Sequence, residues 1–170
     1  MDSGSVFEIV ERYWNRAPVD IEAIIRDAGL LYREQSLGPT ESGLIETWGD
    51  SYRIVVNCDH PYVRRRFTAA HELGHYVYHR DLIGGGISDA AYRSGDSGRY
   101  HNSKIRQPHE TQANQFAATV LMPIDLIRRL QHERNLSLPD RLPEMARELE
   151  VSEQALRIRL NVATIDGRPR

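Results

Sequence analysis

Ala70 to His79 reads AHELGHYVYH, and this stretch places three of the chain's seven histidines and a glutamate within ten residues. His71 and His75 are four residues apart, so on a helix both imidazoles leave the same face, with Cβ atoms roughly 5–6 Å apart. Glu72 lies about 100° further round such a helix. Two histidines able to share one cation, with a carboxylate near a water on that cation, are the parts of a hydrolytic zinc site. Taken alone, the five-residue match HELGH is equally compatible with two histidines satisfied by ordinary hydrogen bonds. The choice depends on the surrounding sequence.

Asp59, His60 and Pro61 form a helix start signal, and nothing interrupts the helical pattern from there to about His79. The motif is therefore expected on a helix. His79 continues the series of histidines, but eight residues of helix rise about 12 Å, too far for His71 and His79 to bind one metal. It is assigned to the helix C-terminus or to a core hydrogen bond. A better third ligand stands in HETQANQFAATVLMP, where Glu110 falls on the stripe of Ala113, Ala117 and Leu121 and should point inward. A buried carboxylate needs a counter-charge, which a cation provides. Asn114, one turn on, could orient a ligand histidine through its second ring nitrogen.

Upstream, SVFEIVERYWN has helical spacing with a capping box at Ser5 and Glu8, and DIEAIIRDAG reads as a second helix, capped by Asp20 and stopped by Gly29. LLYREQ, GLIETW and YRIVVN read as three strands, the last two joined by a tight turn at Gly49 to Ser51. The Gly- and Ser-rich segment from Leu82 to Pro108 is expected to be a long mobile loop. Short helices follow from Ile124 to about Leu160. The expected organisation is one α+β domain over residues 1–170. In it, 17–123 form a core with a small, mainly antiparallel three-stranded sheet packed on the HELGH helix, 124–162 a helical extension, and 163–170 a flexible tail.

Composition bounds the partners. Apolar residues are 40% and charged residues 27% of the chain, and the net charge of −2 gives no reason to expect nucleic acid. The single cysteine, Cys58, permits no intrachain disulfide or thiolate cluster, which suits the cytoplasm. No signal sequence and no apolar run long enough to span a bilayer is evident.

RRRFTAAHELGHYVYH followed by HETQANQFAATVLMP resembles the ImmA/IrrE family of metallopeptidases, and the likeness extends over roughly Pro18 to Pro123. The resemblance implies a compact zincin-like fold, a metal site of His71, His75 and Glu110, and Glu72 as catalytic base. It also implies a substrate class: helix-turn-helix transcriptional repressors, here on a separate polypeptide, cut during mobile-element or stress regulation. Gln112 stands where the family often has a second acid.

The mechanism expected is metal-assisted peptide hydrolysis, with zinc as the default ion and manganese or iron also compatible with the ligand types. Tyr100, His101 and His109 are candidates for stabilising the oxyanion or contacting substrate, while Tyr76 and Tyr78 are assigned to the core. Gly43 to Trp48 is expected to offer an edge for substrate strand addition, with Gly84 to Gly86 as the hinge of a lid. The alternative is a metal-binding sensor or regulatory partner with a latent active site. LPEMARELEVSEQALRIRL superficially resembles a helix-turn-helix, but Glu148 and Glu150 are poorly placed to face DNA.

Overall fold

The structure is a computed structural model that describes residues 3–88, 104–134 and 138–161, together with the short strands 164–165 and 168–169. Helix α1 (Ser3–Arg12) turns Val6, Ile9 and Val10 inward, and it begins before Ser5, so the expected capping box lies inside the helix. Helix α2 (Ile21–Asp27) is capped as its sequence predicts: the Asp20 carboxylate accepts the backbone N–H of Ala23 at 2.9 Å. Gly29, at φ 78°, ends it.

The sheet contains the three expected strands, β1 (Leu31–Gln35), β2 (Gly43–Trp48) and β3 (Ser51–Asn57), and a fourth, β4 (Gly86–Ser88). Its order is β1-β3-β2-β4. β2 and β3 form the hairpin, paired from Gly43↔Val56 to Trp48↔Ser51, and β1 lies parallel to β3. β4 pairs antiparallel with β2 through Leu44↔Ser88, Ile45↔Ile87 and Glu46↔Gly86. β2 is therefore not an edge strand, contrary to expectation, because Gly86 to Ser88 folds back along it and buries Ile87 in the core. The segment expected as one long loop likewise opens with a short helix, α4 (Arg80–Ile83), before β4; residues 89–103 lie outside those described.

Helix α3 (Tyr62–Tyr78) follows Pro61, as the start signal predicts, and packs against β2, β3 and helix α5 (Gln107–Leu121). It is buried along most of its length, from Arg66 to Val77. At its sheet-facing side, a Cβ on Gly43 would meet the Thr68 methyl at 2.5 Å and the Val55 carbonyl at 2.8 Å, so the start of β2 approaches α3 as closely as only glycine allows. Pro123 separates α5 from helix α6 (Ile124–Arg134), and helices α7 (Leu138–Leu149) and α8 (Glu153–Arg159) follow. Leu142, Met145, Leu149 and Leu156 carry the hydrophobic core into these last helices. A two-stranded ribbon, β5 (Thr164–Ile165) and β6 (Arg168–Pro169), comes after them. Among the described residues no helix is long and apolar enough to cross a membrane.

Candidate metal centre

Helices α3 and α5 meet at the glycine of HELGH. A Cβ on Gly74 would lie 3.1 Å from the Ala113 Cα and 3.2 Å from both the Ala113 carbonyl oxygen and the Phe116 ring. Backbones approach this closely only where one residue has no side chain. The contact fixes the chemistry, because Gly74 adjoins His75 and Ala113 lies one turn after Glu110. Packing the two helices at this point therefore presses Glu110 against both histidines.

His71, His75 and Glu110 are all buried and offer donor atoms to a common point. The two Nε2 atoms are 3.1 Å apart. Oε2 of Glu110 is 3.2 Å from His71 Nε2, and its Oε1 is 3.3 Å from His75 Nε2. Ligands placed tetrahedrally at about 2.0–2.2 Å from a zinc ion stand roughly 3.3–3.5 Å apart, so these separations fit one ion with little adjustment.

The outer hydrogen bonds point the same way. The Asn114 amide oxygen lies 3.0 Å from His71 Nδ1 and can only accept, so the ring proton sits on Nδ1 and the Nε2 lone pair faces the centre. Two imidazole nitrogens and a carboxylate converging within a buried helix crossing repel one another unless positive charge lies among them. The donor set thus suits a divalent cation bound by nitrogen and oxygen.

Burial lowers the pKa of His75 below the usual histidine range, against the opposing pull of Glu110, which keeps the ring neutral and able to donate its lone pair. Burial opposes the charge on Glu110, but hydrogen bonding from the Nε2 side of His71 and His75, which in the metal-free chain needs a proton whose place a cation would take, outweighs it and holds the carboxyl well below the ordinary carboxylate range. Ionised glutamate and neutral histidine are the protonation states that a metal requires.

Glu72, between the two histidines in sequence, is 1% exposed. His109 stands in the first turn of α5, where its Nδ1 accepts the backbone N–H of Arg106 at 3.1 Å and its ring lies 4.8 Å from that of His79. Tyr100 and His101 lie outside the described residues. Tyr76 is in the core against Tyr52, as expected, whereas Tyr78 is not a core residue: it is 42% exposed at the end of α3, with one side of its ring against Phe7 and Phe116.

Behind the centre His79 is the buried, hydrogen-bonded residue at the end of α3 that its sequence position predicts, but its partnership with His75 and Gln112 was not foreseen. His79, 5% exposed, approaches His75, and Gln112 approaches His79. The continued four-residue spacing of His71, His75 and His79 was the available signal, since excluding His79 as a ligand leaves open a place behind one.

Comparison with known families agrees with this geometry. The model of the family described as IrrE N-terminal-like domain, Peptidase_M78, matches residues 25–161. The chain belongs to this family. The IrrE N-terminal-like match includes both α3 and α5, and hence every residue of the candidate centre. Among solved structures, a Mycobacterium tuberculosis transcriptional regulator is similar at a TM-score of 0.60 and 17% identity, over 98% of this chain and 48% of that one. At that identity the likeness is one of fold, and this IrrE-like chain spans about half the length of the regulator. No curated protein matches the chain.

Proposed function

We propose that the chain is a zinc-dependent endopeptidase that cleaves a regulatory protein, a helix-turn-helix repressor or antitoxin made as a separate polypeptide. The convergence of His71, His75 and Glu110 at separations suited to one ion carries this reading, and membership of a peptidase family supports it. Bound zinc would supply Lewis acidity to an attacking water and to the scissile carbonyl. His71, His75 and Glu110 would hold it, and Asn114 would keep the His71 lone pair turned inward. Glu72 takes the proton from the attacking water and delivers it to the leaving amine. The Nδ1 of His109 is engaged by its own helix start, so only its Nε2–H is available to a substrate oxygen. A cytoplasmic setting suits such a substrate and a chain whose single cysteine is exposed.

One observation favours a second reading, a metal-binding sensor or regulatory partner with a latent site. The similar solved structure is a transcriptional regulator about twice as long as this chain. Incubating the zinc-loaded chain and its Glu72→Gln variant with candidate helix-turn-helix regulators separates the two. A peptidase yields discrete fragments, and the variant slows their formation by about 10²–10⁴-fold while keeping its metal. Equal effects of parent and variant on the regulator, without fragments, would establish the sensor.

A further inference from the structure

The two histidines of the centre are supported from behind in different ways. His71 meets Asn114 in a single bond. His75 has a longer arrangement: its Nδ1 is 3.1 Å from the Nδ1 of His79, and the Nε2 of His79 is 3.1 Å from the Gln112 amide oxygen. An amide oxygen only accepts, so the proton of the second bond belongs to His79 Nε2. In a neutral ring that leaves a lone pair on His79 Nδ1, which can only accept from His75. The His75 proton is thereby drawn to Nδ1. Its Nε2, on the side of His71 and Glu110, is left bare.

The geometry points to His79 and Gln112 as positioning residues for His75: a two-bond relay that begins at the exposed amide of Gln112 and fixes both the tautomer and the ring plane of His75. The inference rests on the metal-centre reading. It gives Gln112, which is not among the three candidate ligands, control over how firmly His75 ligates. Removing an outer hydrogen-bond partner of a ligand histidine typically weakens metal binding about 10–100-fold. The relay also explains why His79 is buried although it stands too far along α3 to ligate with His71.

The test is zinc affinity of the full chain, measured by competition with a chromophoric chelator, for the parent, Gln112→Leu, Gln112→Glu and His79→Phe. Gln112→Leu removes the accepting oxygen at an exposed position and is expected to weaken zinc binding about tenfold without shifting the unfolding midpoint of the metal-free protein. Gln112→Glu keeps an accepting oxygen and should stay within about threefold of the parent. His79→Phe, which fills the space but carries no nitrogen, should lose at least as much as Gln112→Leu. If His79→Phe fails to fold, the two Gln112 variants decide. Parent-like affinity in Gln112→Leu, or equal losses in the Leu and Glu variants, would overturn the relay while leaving the centre intact. A parent that binds no zinc would overturn the metal-centre reading itself and the relay with it.

Discussion

The crossing of α3 with α5 and the pair α7–α8 look alike in sequence, since both place charged residues on helices with an apolar face. They differ in where the polar groups point. In the C-terminal pair they are taken up singly: Arg157 is held by Glu153 at 2.5 Å and Arg159 donates to the Met122 carbonyl. Glu150, in the turn between the helices, faces Arg66, whose guanidinium also reaches the Val19 carbonyl. At the α3–α5 crossing two imidazoles and a carboxylate instead aim their lone pairs at one point. Local pairing makes a scaffold, and convergence makes a site. The two arginines that would serve a DNA-binding reading of the C-terminal helices are thus engaged within the fold.

The largest expected effect follows from breaking the convergence. Glu110→Ala removes the only charged member of the trio, and near-complete loss of bound zinc is expected by mass spectrometry of protein purified without chelator. Arg157→Gln removes a partly exposed ion pair in the other region and should leave zinc content unchanged, at a stability cost of about 1 kcal/mol or less. Equal retention of zinc in both variants would erase the distinction drawn between the two regions.

A smaller effect is expected where packing, not charge, sets the convergence. Gly74→Ala puts a methyl within 3.2 Å of the Ala113 backbone and the Phe116 ring, so α5 must move away from α3. Overpacking of this kind costs about 1–3 kcal/mol. Because Glu110 rides on α5, zinc affinity should fall together with the unfolding midpoint. A variant that loses stability but binds zinc as the parent does would show that the crossing distance does not govern the centre.

The features that create this site were unequally legible. HELGH within an unbroken helical pattern, and Glu110 on the stripe of Ala113 and Ala117, could be read because helix periodicity states which residues share a face. The β2–β3 hairpin was readable from alternation and the Gly49 turn. β4 was not: a three-residue strand within a glycine-rich segment has one apolar residue, Ile87, and no period to detect. Its presence changed β2 from an edge to an interior strand. Gln112 was legible only as a departure from a family pattern, because a hydrogen bond from His79 to an exposed side chain depends on how α5 sits against α3.

The smallest effect separates the regions by acid. Burial depresses the pKa of His75 below the usual 6.5, so in the window beneath that value the unfolded chain binds a proton that the folded chain does not. The stabilisation is fully present above about pH 6.5 and is lost as pH falls. Glu110, also depressed, acts in the same direction at lower pH: its contribution is present above the ordinary carboxylate pKa and disappears as the pH drops toward its folded value. Metal-free protein should therefore unfold at progressively lower urea as the pH is taken from 7.5 to 5.5, with a slope from one group of at most about 1.4 kcal/mol per pH unit. His75→Gln should flatten that slope, because glutamine binds no proton in either state, whereas Arg157→Gln should leave it as it is. If His75→Gln follows the parent's pH dependence, the acid sensitivity lies elsewhere, and the buried, neutral character assigned to His75 is wrong.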